Sequence, residues 1–185
     1  MIEPTIARRI RLVGLDVDGT LTDGGLYIGL AGGQPVELKR YDIQDGLGVL
    51  FLKSAGLPVV IVTGRAGEVA RLRAQELGVD EFVADPHARK LEAFEALLKR
   101  RSVRWEESCF IGDDLPDLPL LRRVGLAIAT GNACPEVRQV AVLTTKAGGG
   151  HGAVREFAET FLKARGAWTD VMRNYLRERG DATAR

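Results

Sequence analysis

Short, nearly continuous apolar runs alternate with helix-spaced segments along most of this 185-residue chain, and that alternation leaves few folds open. The runs are residues 10–16 (IRLVGLD), 58–63 (PVVIVT), 81–84 (EFVA), 108–113 (SCFIGD) and 125–129 (GLAIA). A strand that is apolar at successive positions must be covered on both faces, which happens in a parallel sheet between two helical layers. Residues 47–55, 68–77, 89–100 and 118–124 lie between the runs and carry apolar side chains at helical spacing. The expected fold class is therefore α/β, a doubly wound parallel sheet. A chain of this length suits one domain.

Two segments break the alternation. Residues 25–39 hold Leu26-Tyr27-Ile28 and Pro35-Val36-Glu37-Leu38 around Gly29, Gly32 and Gly33. Two short strands about a glycine-rich turn read as a β-hairpin. It follows the first sheet strand directly, where it would project over the sheet end as a flap. Near the other terminus, Val154, Phe157, Ala158, Phe161 and Leu162 form one helical stripe, and Trp168, Val171, Met172, Tyr175 and Leu176 form a second beyond Gly166. The expected organisation is a core over residues 1–165, then an amphipathic helix and polar tail over 166–185. The second stripe must bury itself on its own core or on a neighbouring subunit.

Composition excludes several function classes. With 26 basic and 25 acidic residues the net charge is +1, so no surplus of charge is offered to nucleic acid or an anionic membrane. No run approaches the ~18 apolar residues of a membrane span, and a cytoplasmic location is expected. Cys109 and Cys134 stand alone in apolar segments, as buried thiols rather than a disulfide framework or zinc site.

The chemistry gathers at three strand ends. The first run leads into Asp16-Val17-Asp18-Gly19-Thr20, the second ends in Thr63-Gly64-Arg65, and the fourth in Gly112-Asp113-Asp114 with Asp117 close behind. Ligands bind an open parallel sheet at the carboxyl ends of its strands, so these groups are brought together whatever their separation in sequence. Asp16 and Asp18, two apart, point to one side while the chain is extended. Gly19 permits a sharp turn there, and the Thr20 hydroxyl can tie it down. Carboxylates packed at ~4 Å repel by roughly 4 kcal/mol per pair at an effective dielectric near 20, so the cluster calls for a cation. All-oxygen donors completed by water and phosphate favour magnesium, Mg2+.

These motifs resemble those of the haloacid dehalogenase (HAD) superfamily of phosphohydrolases. The resemblance runs over residues 11–161 and includes Lys90 ahead of a helix. It is closest to the capless branch acting on 3-deoxy-D-manno-octulosonate 8-phosphate, a step of lipopolysaccharide biosynthesis. That branch is also matched by the hairpin, by Tyr41-Asp42-Ile43-Gln44-Asp45-Gly46 and by residues 149–156 (GGHGAVRE). The resemblance implies a Rossmann-like core with no cap domain and an aspartyl-phosphate mechanism. Asp16 is the implied nucleophile and Asp18 the acid–base. Thr63 and Lys90 hold the phosphoryl group, with Lys90 rather than Arg89 reaching it. Asp16, Asp113 and the main-chain carbonyl of Asp18 hold the metal, with Asp114 and Asp117 in support.

By the same resemblance Asp45, Gly46, Gly64, Arg65, Arg73 and the loop at 148–152 line a sugar-acid pocket, and a homotetramer closes it. Gln44 and Leu50 depart from basic residues common in that branch, and His151 can partly compensate. His87 reads as a loop residue. A nine-carbon keto-deoxy sugar acid 9-phosphate or another small sugar phosphate is the alternative substrate. Outside this chemistry stand a phospho-accepting receiver domain, which orders these groups differently, and an inactive homologue.

Overall fold

A computed structural model describes residues 1–181 and 183. The chain opens with α1 (Pro4–Arg9) and enters β1 (Leu12–Leu15), followed by the hairpin strands β2 (Tyr27–Ala31) and β3 (Gln34–Leu38). Then come α2 (Ile43–Ser54), β4 (Val59–Thr63), α3 (Glu68–Leu77), β5 (Glu81–Ala84), α4 (Lys90–Arg100) and β6 (Ser108–Gly112). The remainder is α5 (Leu118–Leu121), β7 (Leu126–Ala129), α6 (Pro135–Val140), β8 (Leu143–Thr144), α7 (Ala153–Arg165) and α8 (Trp168–Glu178).

Six strands form one parallel sheet in the order β5-β4-β1-β6-β7-β8. The strand order reverses at β1, which opens a crevice at its carboxyl end. Because successive side chains of a strand point to opposite faces, the apolar runs feed two cores. Val13, Leu15 and Ile61 pack with Val49, Phe51, Phe157 and Phe161 on one face. Leu12, Val60 and Val62 pack with Phe94, Leu97, Leu120 and Val137 on the other. Gly14 makes room on that second face, since a Cβ there would lie 2.6 Å from the ring of Phe110, its register partner on β6.

The hairpin stands apart as a two-stranded sheet. Gly32 and Gly33 turn it at φ +57° and +77°, the paired left-handed conformation of a type I′ turn. Tyr27, Ile28, Leu30 and Leu38 are exposed along it. At the other end of the chain, Gly166 caps α7 in the left-handed region and α8 folds back. Trp168 and Tyr175 set their rings edge-on to Phe51 at 5.4 and 5.1 Å, and Val171 is buried. The second C-terminal stripe thus packs on its own chain. Helix α2 starts at Ile43, ahead of the expected 47, because the Asp42 carboxylate accepts the Gln44 amide at 2.8 Å and caps it. Among the described residues, no helix is long and apolar enough to cross a membrane.

Candidate active site

The turn after β1 is built almost entirely from its own backbone. The Val17 carbonyl accepts the amides of Thr20, Leu21 and Thr22, and Thr22 Oγ1 accepts those of Gly19 and Gly24, each at 3.2 Å. Thr22 therefore supplies the local tie that was expected of Thr20. The Thr20 hydroxyl instead crosses to β6 and donates to Asp113 Oδ1 at 3.1 Å, because Gly19 turns at φ +89° with Asp113 pressed against it. A Cβ on Gly19 would strike that carboxylate. Behind the turn, Asn132 donates to the Gly19 carbonyl at 2.9 Å, and the Gly150 amide donates to Thr20 at 3.2 Å. The loop at 148–152 thus braces the turn from outside.

Asp16, Asp113 and Asp117 each place a carboxylate oxygen within 4.8 Å of the others. Lys90, the first residue of α4, binds two of them: its Nζ lies 2.6 Å from Asp16 Oδ1 and 2.8 Å from Asp117 Oδ1. The approach to α4 is tight, with Ala88 at φ +53° and the Asp85 carboxylate accepting the His87 amide at 2.8 Å. Arg89 points away, paired with Asp85 and Glu92. Asp117 turns its second oxygen to the amides of Asp113 and Asp114, at 3.1 and 3.4 Å. Asp114 is exposed and caps the following turn through the Leu115 amide at 2.8 Å.

Burial dominates the electrostatics. It pushes the Asp16 carboxyl well above the usual range, helped by Asp117 and Asp113 and opposed by Lys90. Asp113 is pushed up to about 7, again by burial first and Asp117 second. Burial alone would lower Lys90, but Asp16 and Asp117 overcome it and hold the ammonium above its ordinary value. The group is rich in acids that resist ionising together, with one cation inside it.

A cavity of about 210 Å³ opens over these groups, lined by Asp16, Asp18, Thr63, Gly64, Arg65 and Lys90 together with Asp114 and Asp117. Three strand ends and the start of α4 therefore meet in one place. Thr63 is buried there, its Oγ1 accepting the Arg65 amide at 3.2 Å.

Three expected pocket residues lie elsewhere. Asp45 is buried, and its carboxylate accepts the amides of Arg155 and Gly152 at 3.0 and 3.4 Å at the start of α7. These bonds tie α2 to α7. Gly46 and Arg73 line a second cavity of about 390 Å³ beside Ile43 and Leu50. Arg73 there donates to the Asp42 carbonyl at 3.0 Å and pairs with Glu76 at 2.8 Å. His151 lies in a loop with its Nδ1 3.3 Å from Arg40. Sequence reasoning missed Asn132 and Lys39. The latter carries no motif, yet its Nζ lies 2.5 Å from Asp18 Oδ1.

The chain is similar to known proteins along most of its length. Residues 82–156 match the family described as haloacid dehalogenase-like hydrolase. The 3-deoxy-D-manno-octulosonate 8-phosphate phosphatase KdsC of Escherichia coli K12 is 38% identical over 160 residues, 86% of this chain and 83% of that one. The phosphatase of that name from Moraxella catarrhalis, solved with magnesium ion, phosphate ion and a KDO molecule, superposes with a TM-score of 0.85 at 35% identity, covering 93% of this chain and 97% of that one. The cobalt-bound YrbI phosphatase of Haemophilus influenzae superposes at 0.83 with 32% identity over 92% and 99% of the two chains. With this likeness along nearly its whole length, the chain belongs to the KdsC family of haloacid dehalogenase-like hydrolases and is a phosphatase.

Proposed function

We propose that the chain hydrolyses 3-deoxy-D-manno-octulosonate 8-phosphate through an aspartyl-phosphate formed on Asp16. The observation that carries the chemistry is the Lys90 ammonium between Asp16 and Asp117 at the floor of a cavity shared by three strand ends. Lys90 turns one oxygen of Asp16 aside and leaves the other to attack phosphorus. As the new P–O bond forms, the bond to the sugar oxygen breaks, and Asp18 donates its proton to that oxygen. Water then attacks the phosphorus of the acyl phosphate, Asp18 takes the water's proton, and Asp16 is regenerated with release of inorganic phosphate. Thr63, the amides that follow it and Lys90 hold the phosphoryl oxygens and balance their charge.

The donor set fits magnesium. Asp16 and Asp113 offer hard oxygens on adjacent strands, and burial beside Asp117 keeps both reluctant to ionise without a cation. Asp16, Asp113 and the Asp18 carbonyl would hold the ion, which would screen the anionic nucleophile from the anionic phosphate. Asp117 orients Lys90 rather than the ion.

The substrate reading is supported by the relatives' activity. Gln44 and Leu50 stand where basic partners for a sugar-acid carboxylate are common in this branch, which favours testing a nine-carbon 9-phosphate as the second reading. The decisive experiment is a panel of phosphorylated sugar acids assayed with and without Mg2+. The eight-carbon ester should turn over fastest, and turnover no better than that of an aryl phosphate refutes the assignment. Among the described residues no cap domain covers the cavity, and we assign its closure to a homotetramer using the exposed hairpin. Light scattering tests that assignment.

A further inference from the structure

A ring of four alternating charges joins the hairpin to the catalytic turn, and the proposed reaction uses the side chain of only one of them, Asp18. Lys39 follows β3, its side chain is only 1% exposed, and its Nζ lies 2.5 Å from Asp18 Oδ1 and 3.4 Å from Glu37 Oε1. Glu37 Oε2 meets Arg65 Nη2 at 3.4 Å, and Arg65 Nε returns to Asp18 Oδ2 at 3.9 Å. One charge comes from the end of β1, two from the hairpin and one from the end of β4. Glu37 and Lys39, two apart on an extended strand, project to the same side.

Burying an ammonium is unfavourable unless carboxylates meet it, so the lysine's place is set by Asp18 and Glu37 together. Its effect on Asp18 is asymmetric. Oδ1 is held by a short charge-assisted bond, whereas Oδ2 is buried and has no hydrogen-bond partner among the described residues. A carboxyl that must pass a proton to one oxygen of the substrate benefits from such an arrangement: one oxygen anchored by a hydrogen bond, the other facing only the more distant Arg65 and free of hydrogen bonds.

We propose that Lys39 is a positioning residue that sets the orientation of Asp18 for proton transfer, with Glu37 holding Lys39 in place, so that the hairpin is part of the catalytic apparatus. This rests on Asp18 being the acid–base of the proposed function. It predicts a loss confined to substrates whose leaving oxygen needs a proton.

The test measures kcat/KM, which covers only the steps up to departure of the alcohol, for wild type, Lys39→Met, Lys39→Arg and Asp18→Asn. The substrates are the fastest sugar phosphate of the panel and 4-nitrophenyl phosphate, whose phenolate departs unprotonated. Lys39→Met should lose roughly a hundredfold on the sugar phosphate and less than about threefold on the aryl ester, with Lys39→Arg recovering most of the difference. Should Lys39→Met not fold, Glu37→Gln keeps the ring's shape, weakens it, and should show the same selective loss. Equal losses on both esters, or none, overturn the proposal. Full sugar-phosphate activity in Asp18→Asn overturns the acid–base assignment as well, whereas its loss beside wild-type behaviour of Lys39→Met overturns this proposal alone.

Discussion

The turn at the end of β1 and the hairpin that follows it are neighbours in sequence and opposites in construction. In the turn, backbone amides are satisfied by Val17 and Thr22, Asp16 and Thr20 are buried, and Gly19 leaves no room even for a methyl. In the hairpin, Ile28 and Leu30 are 74% and 77% exposed, and among the described residues the strands pair only with each other. The turn is complete within one chain. The hairpin is complete only at its base, where Glu37 and Lys39 meet the site. Electrostatic catalysis needs groups fixed before the substrate arrives, so in the proposed reaction the over-determined segment carries the reacting atoms, while the outer part of the hairpin presents a surface.

The contrast can be broken most sharply from the turn. Asp16→Asn should lower kcat by roughly 10⁴-fold or more with the fold intact, as loss of a nucleophile does in other covalent mechanisms; full activity would place the nucleophile elsewhere. Lys90→Met follows. It leaves Asp16 and Asp117 buried without their cation, which should destabilise the chain by about 3–5 kcal/mol in urea unfolding at neutral pH. Added Mg2+ should restore part of that stability.

A third test lies outside both regions, in α2. Asp45 is held up to about 6, mainly by burial, above an unfolded value of roughly 3.9. The folded chain therefore binds this proton more tightly than the unfolded chain. The stability it contributes is full below pH ~4 and is lost as pH rises through ~6. Asp45→Asn should flatten that part of the melting profile, and an unchanged slope would contradict the assignment. The smallest effect belongs to the hairpin. Leu30→Glu should change unfolding free energy by less than about 0.5 kcal/mol, while reducing the sedimenting mass if the hairpin joins subunits. A change in folding stability with no change in mass would reverse the comparison.

Legibility from sequence followed the same division. Residues 68–77 and 81–84 form α3 and β5 with the expected bounds, because apolar spacing and a glycine stop at Gly78 act locally. Helices α1 and α6 carry one buried side chain each, Ala7 and Val137, which is too little periodicity to read. Asp16, Asp18, Thr63, Gly64, Arg65 and Lys90 stand at strand-end and motif positions in the sequence, and in the structure they line one cavity. The amide bonds of Asp45 to α7 are not legible, because a carboxylate that caps backbone amides and one that meets a ligand look alike in sequence. Lys39 was missed because nothing beside it in the chain shows that Asp18 will be its partner.

The sequence by itself determined the parallel sheet and the strand ends that would carry oxygen ligands, since both depend on local periodicity and on where an apolar run stops. Only the tertiary structure decided which acids face one another, that Thr20 reaches across to Asp113 while Thr22 holds the turn, and that a lysine from the hairpin is buried against Asp18. Those choices depend on burial and on charges brought together from distant positions, and such energies have no value until the chain is folded.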